Sequence, residues 1–274
     1  MMPILELDHV SFTYPNGFEA VKDLCLAVDP GEKVAVIGEN GAGKTTMAKL
    51  VNGLLRPTAG DVRVNGGSTR AKTVACIARD VGFVFQNPDD QIFNSSIFRE
   101  ITYTHRYNKS LPPSELEKRV REALGLIGLE GKEEENPYNL SYSHRKFITI
   151  GTVIMQDPRL VILDEPTAGQ DLEGMDRLAE IIDYFHRRNT AVIVIAHDME
   201  FVARCFDRAI VMAHGAIILD DSVRSSFWNL PALREAALQQ PYISQLARGL
   251  GLPGEVLAVD EFIAAMPSAG RHIC

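Results

Sequence analysis

Residues 33–51 read KVAVIGENGAGKTTMAKLV, and they pass from a run that is apolar on both faces, through a glycine-rich turn, into apolar residues at helical spacing. A strand without a polar face belongs inside a parallel sheet. The turn, Gly38-Glu39-Asn40-Gly41-Ala42-Gly43-Lys44-Thr45, fits GxxxxGK followed by Ser or Thr, and the flanking strand and helix are the context that gives this spacing its meaning. Glycines let main-chain amides wrap a phosphate, and the helix start adds partial positive charge. Lys44 is expected to reach the β- and γ-phosphates of ATP and Thr45 to bind Mg2+, with Thr46 completing the cradle. The stretch predicts an α/β fold around a parallel sheet.

The other half of such a site is carried by VILDEP at 161–166. Asp164, ending an apolar strand, is expected to hold the magnesium shell, and Glu165 to polarise an attacking water. Gln86 closes the strand-like VGFVFQ and is expected at the metal or the water. His197 follows AVIVIA and is expected to bond the γ-phosphate and orient Glu165; a histidine there gains its weight from the constellation. Tyr14 closes the first strand and is expected to stack on adenine, against the plain alternative of packing.

Around these motifs, ILELDHVSFTY at 4–14 and the segment 24–37, broken at Pro30-Gly31, read as strands. DVRVNG, LVILDEP and AVIVIAHD add further strands, and RAIVMAHGAIILDD an edge hairpin. Residues 95–155 turn helical, with LEKRVREALGLIGL clearly amphipathic. After residue 222 the composition changes to short helices punctuated by Pro and Gly. With 274 residues, 46% hydrophobic and 23% charged, the chain reads as globular. Its apolar runs fall far short of the roughly 18 residues that span a bilayer. Net charge of −8 and the lack of a clustered basic surface exclude a general nucleic-acid binder. Cys25, Cys76, Cys205 and Cys274 lack CxxC spacing and are expected as reduced thiols.

The ordered set Tyr14, GENGAGKT, Gln86, LSYSH, VILDEP, AGQD and His197 resembles the nucleotide-binding subunits of ATP-binding cassette (ABC) transporters, over about residues 3–266. That resemblance implies a P-loop NTPase cassette with a RecA-like parallel core, an N-terminal antiparallel β subdomain and a helical subdomain at about 87–155. It divides the chain into a nucleotide-binding domain, 1–222, and a small C-terminal extension, 223–274, implied to support dimerisation with Phe227 and Trp228 as anchors, against the alternative that a hydrophobic tail covers its own cassette. It further implies a head-to-tail pair in which each ATP lies between one chain's P-loop and the other's signature, with Asp171 of AGQD at the seam. FQNPDDQIF at 85–93 and the tail 231–266 are similar to energy-coupling factor (ECF) transporter ATPases, importers of vitamins or of nickel and cobalt. The partners implied are a second ATPase, a transmembrane coupling protein docking near Asp89, Asp90 and Gln91, and a substrate-binding membrane component. The place implied is the cytoplasmic face of the membrane.

The signature departs from the family's LSGGQ. Ser141 is kept, but Tyr142 and Ser143 replace the glycines and His144 the glutamine. A side chain beside a phosphate restricts the backbone and misplaces amide donors. Arg145 and Lys146 are expected to return some positive charge. The reading is an asymmetric heterodimer whose partner carries LSGGQ, with a homodimer as the competing reading. A soluble non-transport cassette and a regulatory, non-hydrolysing one are the alternatives to the motor.

Overall fold

The computed structural model describes residues 2–108 and 111–266; Cys274 lies outside them. Strands β1 (Leu5–Thr13) and β2 (Glu19–Val28) pair antiparallel, and β4 (Ala59–Val64) and β5 (Gly67–Ser68) extend them to a sheet of order β2-β1-β4-β5. The second sheet is built on β3 (Lys33–Gly38), β6 (Val81–Val84), β7 (Leu160–Asp164), β8 (Ala191–Ile195), β9 (Arg208–Ala213) and β10 (Ala216–Ser222). Its order is β10-β9-β3-β8-β7-β6, parallel except for the edge hairpin β9-β10.

Alternation along the buried strands gives the sheet two cores. Val34 and Val36 face α1 (Lys44–Val51) and the antiparallel sheet, while Ala35 and Ile37 face the long helices. Between β4 and β6 lies α2 (Val74–Ile77). On the far side of β6 come α3 (Ile97–Ile101), α4 (Tyr103–Asn108), α5 (Pro113–Ile127) and α6 (Tyr142–Gln156). Helix α6 carries its buried face, Phe147, Ile150 and Ile154, into the main core, so its first turn is fixed over the carboxyl ends of β6 and β7. Helices α7 (Leu172–Arg187) and α8 (Met199–Cys205) cover the same face.

The tail holds α9 (Val223–Trp228), α10 (Leu230–Glu235), α11 (Tyr242–Gly249) and α12 (Val259–Ala265). Its first half belongs to the cassette: Val223, Phe227, Leu233 and Ala236 lie in the main core. Phe227 is fully buried and Trp228 half-buried, so Phe227 is taken up by its own chain and does not stand out as an anchor for another. Removing the apolar area of the ring from water favours that inward placement. The exposed apolar residues come later, with Tyr242 and Leu246 on α11 and Leu250 just past its end, each four apart, and Val259 and Ile263 four apart on α12.

Candidate nucleotide and catalytic site

Four segments reach the carboxyl ends of the parallel strands within one patch. The phosphate loop leaves β3 with Gly43 at φ +99°, where a Cβ would stand 2.5 Å from the Ala20 carbonyl oxygen, so only glycine fits. Gly41 also has positive φ, yet a Cβ there would meet no atom within 4 Å. That side of the loop faces an open cleft of about 160 Å3 lined by Asn40, Lys44, Thr45, Thr46 and Glu165. Gly38, Glu39 and Ala42 complete the turn. Lys44 bends back over it, its ammonium donating to the carbonyls of Gly38 (2.7 Å) and Glu39 (2.8 Å). Burial lowers the pKa of Lys44, partly offset by Glu165 and Asp164.

The Thr45 hydroxyl donates to Asp164 Oδ2 at 3.1 Å. Asp164 Oδ1 is buried without a hydrogen-bond partner, and burial raises the pKa of this carboxyl against the lowering effect of Thr45. An orphaned buried carboxylate oxygen is costly, and a divalent cation beside Thr45 would satisfy it, so these residues fit Mg2+.

Glu165 opens the turn after β7 with φ +48°, a backbone that few non-glycine residues adopt. Its carboxylate is held from both sides. Gln86 Nε2 donates to Oε2 at 2.7 Å, and His197 Nε2 lies 3.0 Å from Oε1. The two groups come from ends of different strands: Gln86 sits two residues past β6 rather than closing it, and His197 two past β8. A carboxylate fixed between an amide and an imidazole, next to the phosphate loop, can accept a proton from a water.

Tyr14 lies one residue beyond β1 and half-buried, its hydroxyl 3.1 Å from Thr46 Oγ1 and its ring edge-on to Phe12 at 4.9 Å. Phe18, which sequence reasoning passed over, lines the phosphate-loop cleft, as Tyr14 does not, and is 57% exposed. Its only sequence signal is a place four residues after Tyr14.

The signature segment turns toward its own chain. Ser141 caps α6, accepting from the His144 amide at 3.3 Å, with His144 Nδ1 2.7 Å from the same oxygen. Tyr142 donates its hydroxyl to the Gln86 carbonyl at 2.9 Å, and Ser143 donates to Gln170 Oε1 at 2.6 Å. Arg145 and Lys146 do not offer free positive charge. Arg145 pairs with Asp89 at 2.8 Å and the Leu140 carbonyl at 2.7 Å, and Lys146 is fully buried with its ammonium on the Glu165 carbonyl at 2.7 Å. Burial brings the pKa of Lys146 down to about 8. Asp89 is thus engaged, and Gln91 is folded inward onto the Phe83 carbonyl and Phe85 amide. Asp171 is exposed and caps α7 through the Gly174 amide.

The family model described as ABC transporter matches residues 21–168. Over 247 residues the chain is 35% identical to a protein of Methanocaldococcus jannaschii named energy-coupling factor transporter ATP-binding protein EcfA, covering 89% of this chain and 88% of that one. Among solved structures, cbiO1 of Clostridium perfringens, described as part of the ABC transporter complex cbiONQ, matches with a TM-score of 0.76 at 29% identity, covering 90% of this chain and 100% of that one. A dimeric bacterial ABC transporter cassette matches with a TM-score of 0.73 at 25% identity, covering 80% and 98%. The chain therefore belongs to the ATP-binding cassette family of transport-coupled ATPases.

Proposed function

We propose that this chain is the ATP-hydrolysing motor of an ECF-type importer, driving uptake of a vitamin or a transition-metal ion from the cytoplasmic face of the membrane. The observation that carries the motor reading is the Glu165 carboxylate clasped between Gln86 and His197 beside the Thr45–Asp164 pair. In this reading the phosphate loop from Gly38 to Thr46 binds the triphosphate and Lys44 exchanges its carbonyl partners for phosphate oxygens. Glu165 takes the proton of the attacking water, His197 keeps the carboxylate turned toward it, and Gln86 has its side-chain amide oxygen for the metal. Thr45, Asp164 and Gln86 would hold Mg2+, which neutralises phosphate charge when bound. The ECF assignment is supported by the similarity to EcfA and to cbiO1 along nearly the whole chain.

No described helix is long and apolar enough to cross a membrane, so the reading calls for membrane partners. The exposed, edge-on pair Phe93 and Tyr103, at 4.6 Å beside the 85–93 segment, suits a coupling helix better than the inward Gln91. Residues 1–222, with the first part of the 223–274 extension packed into their core, would act as the nucleotide-binding domain, and the stripes on α11 and α12 would clasp a second ATPase. We further infer an asymmetric pair. Tyr142 and Ser143 put side chains where close backbone approach to a partner's nucleotide is needed, so the site shared with this signature turns over slowly and the one using this P-loop works.

The test is affinity isolation of the tagged chain from detergent-solubilised native membranes, followed by identification of what comes with it and by ATPase assay. Recovery with a second cassette bearing LSGGQ and a polytopic membrane protein is expected. Recovery alone, in the soluble fraction, would return the chain to the soluble-cassette alternative.

A further inference from the structure

The Tyr142 hydroxyl closes a relay that ends at the candidate base. It donates to the main-chain carbonyl of Gln86, and the side chain of that same residue donates to Glu165 Oε2. The ring itself is confined. A Cβ on Gly169 would lie 3.0 Å from Tyr142 Cδ1, and the Lys146 ammonium stands 5.8 Å from the ring centroid. Gly169 has φ +75°, and the next residue, Gln170, accepts from Ser143. One turn of α6 thus grips the loop after β6 through Tyr142 and the turn after β7 through Ser143.

We propose that Tyr142 is a positioning residue for this chain's own hydrolytic site, setting the Gln86 main chain so that the Gln86 amide meets Glu165. The tyrosine in the signature then acts in cis, whatever it does to a partner's nucleotide. Two glycines at 142 and 143 could make neither link, because both donors are side-chain hydroxyls. A hydrogen bond of this kind fixes a loop that leaves its strand at Val84 and runs to a 310 turn at Pro88–Asp90 without ladder bonds of its own.

This proposal rests on Glu165 acting as the base, and the experiment separates the two. In the full chain, assembled with whatever ATPase copurifies with it, Tyr142→Phe keeps the ring and its bulk and removes the hydroxyl alone. Turnover is expected to fall about fivefold, the usual worth of one neutral hydrogen bond, with the KM for ATP unchanged because Tyr142 does not line the phosphate-loop cleft. In a Gln86→Ala background, the same substitution is expected to cost almost nothing further, since the relay is already cut. Parental turnover in Tyr142→Phe, or a full fivefold loss that persists without the Gln86 side chain, overturns the proposal. If Glu165→Gln retains turnover, the base assignment falls instead. A signature acting purely by bulk predicts no change from Tyr142→Phe.

Discussion

The Lys146 ammonium lies 2.7 Å from the main-chain carbonyl oxygen of Glu165, inside the protein, joining α6 to the turn after β7. The nitrogen is desolvated, and its nearest acids are Glu165 and Asp164, which partly offset the burial that lowers its pKa to about 8.

That pairing gives stability a particular dependence on pH. Below pH 8 Lys146 is protonated folded and unfolded alike, and the desolvation cost is constant. From about 8 to about 10.5 the unfolded chain binds the extra proton, so stability rises with pH. Lys146→Met removes this contribution. The stability gained by the parent relative to Lys146→Met across that window is expected to reach about 3 kcal/mol, following the size of the shift. Urea unfolding of the nucleotide-free proteins at several pH values checks it; parallel profiles would mean that Lys146 is not desolvated as described.

Glu165→Gln keeps the shape of the clasp but cannot take a proton from water. Turnover is expected to drop at least about 100-fold, with ATP affinity retained and nucleotide trapped in the closed pair. Phosphate release at the parental rate would remove Glu165 from the role of base.

Tyr14 and Phe18 are the two aromatic candidates for stacking on adenine. Tyr14→Ala is expected to cost about 1 kcal/mol of ATP affinity, with little effect on the chemical step. Tyr14→Phe, which spares the ring but loses the Thr46 contact, is expected to bind nearly as the parent. Calorimetry showing a loss for Phe18→Ala and none for Tyr14→Ala would transfer the stacking role to Phe18.

The burial of Phe227 changes where the extension can be cut. Ending the chain at residue 222 would strip Val223, Phe227 and Leu233 from the core, at several kcal/mol by the usual cost of emptying core positions. Ending it at 241 spares them and removes α11 and α12 with their exposed stripes. The shorter protein is expected to bind ATP normally and to associate poorly on sedimentation. Equal association with and without these helices would discard the clasp.

The strands that carry the chemistry were legible because each is a short apolar run ending in a motif that the backbone alone organises. The phosphate loop needs no distant partner to be recognised, and Asp164, Glu165, Gln86 and His197 gather because β6, β7, β3 and β8 share one parallel sheet. What remained hidden depends on direction. Arg145 and Lys146 follow the signature in a way that suggests charge for a phosphate, yet the phase of α6 sends Lys146 inward and Arg145 onto Asp89. Tyr142 could stand over the helix end or fold back, and the lack of a side chain on Gly169, against which the ring packs, makes room for the latter. Phe227 looked like a tail anchor because a sequence does not say how far the core of β9 and α8 extends.

Glu165 combines a left-handed backbone with the carboxylate proposed as the base. Glycine or asparagine would hold that turn with less strain, so the residue is kept by chemistry in opposition to conformation. A library randomised at position 165 and sorted for heat resistance alone should therefore drift toward Gly and Asn, while the same library sorted for turnover should return Glu, making the codon at this position a record of which pressure a lineage has felt.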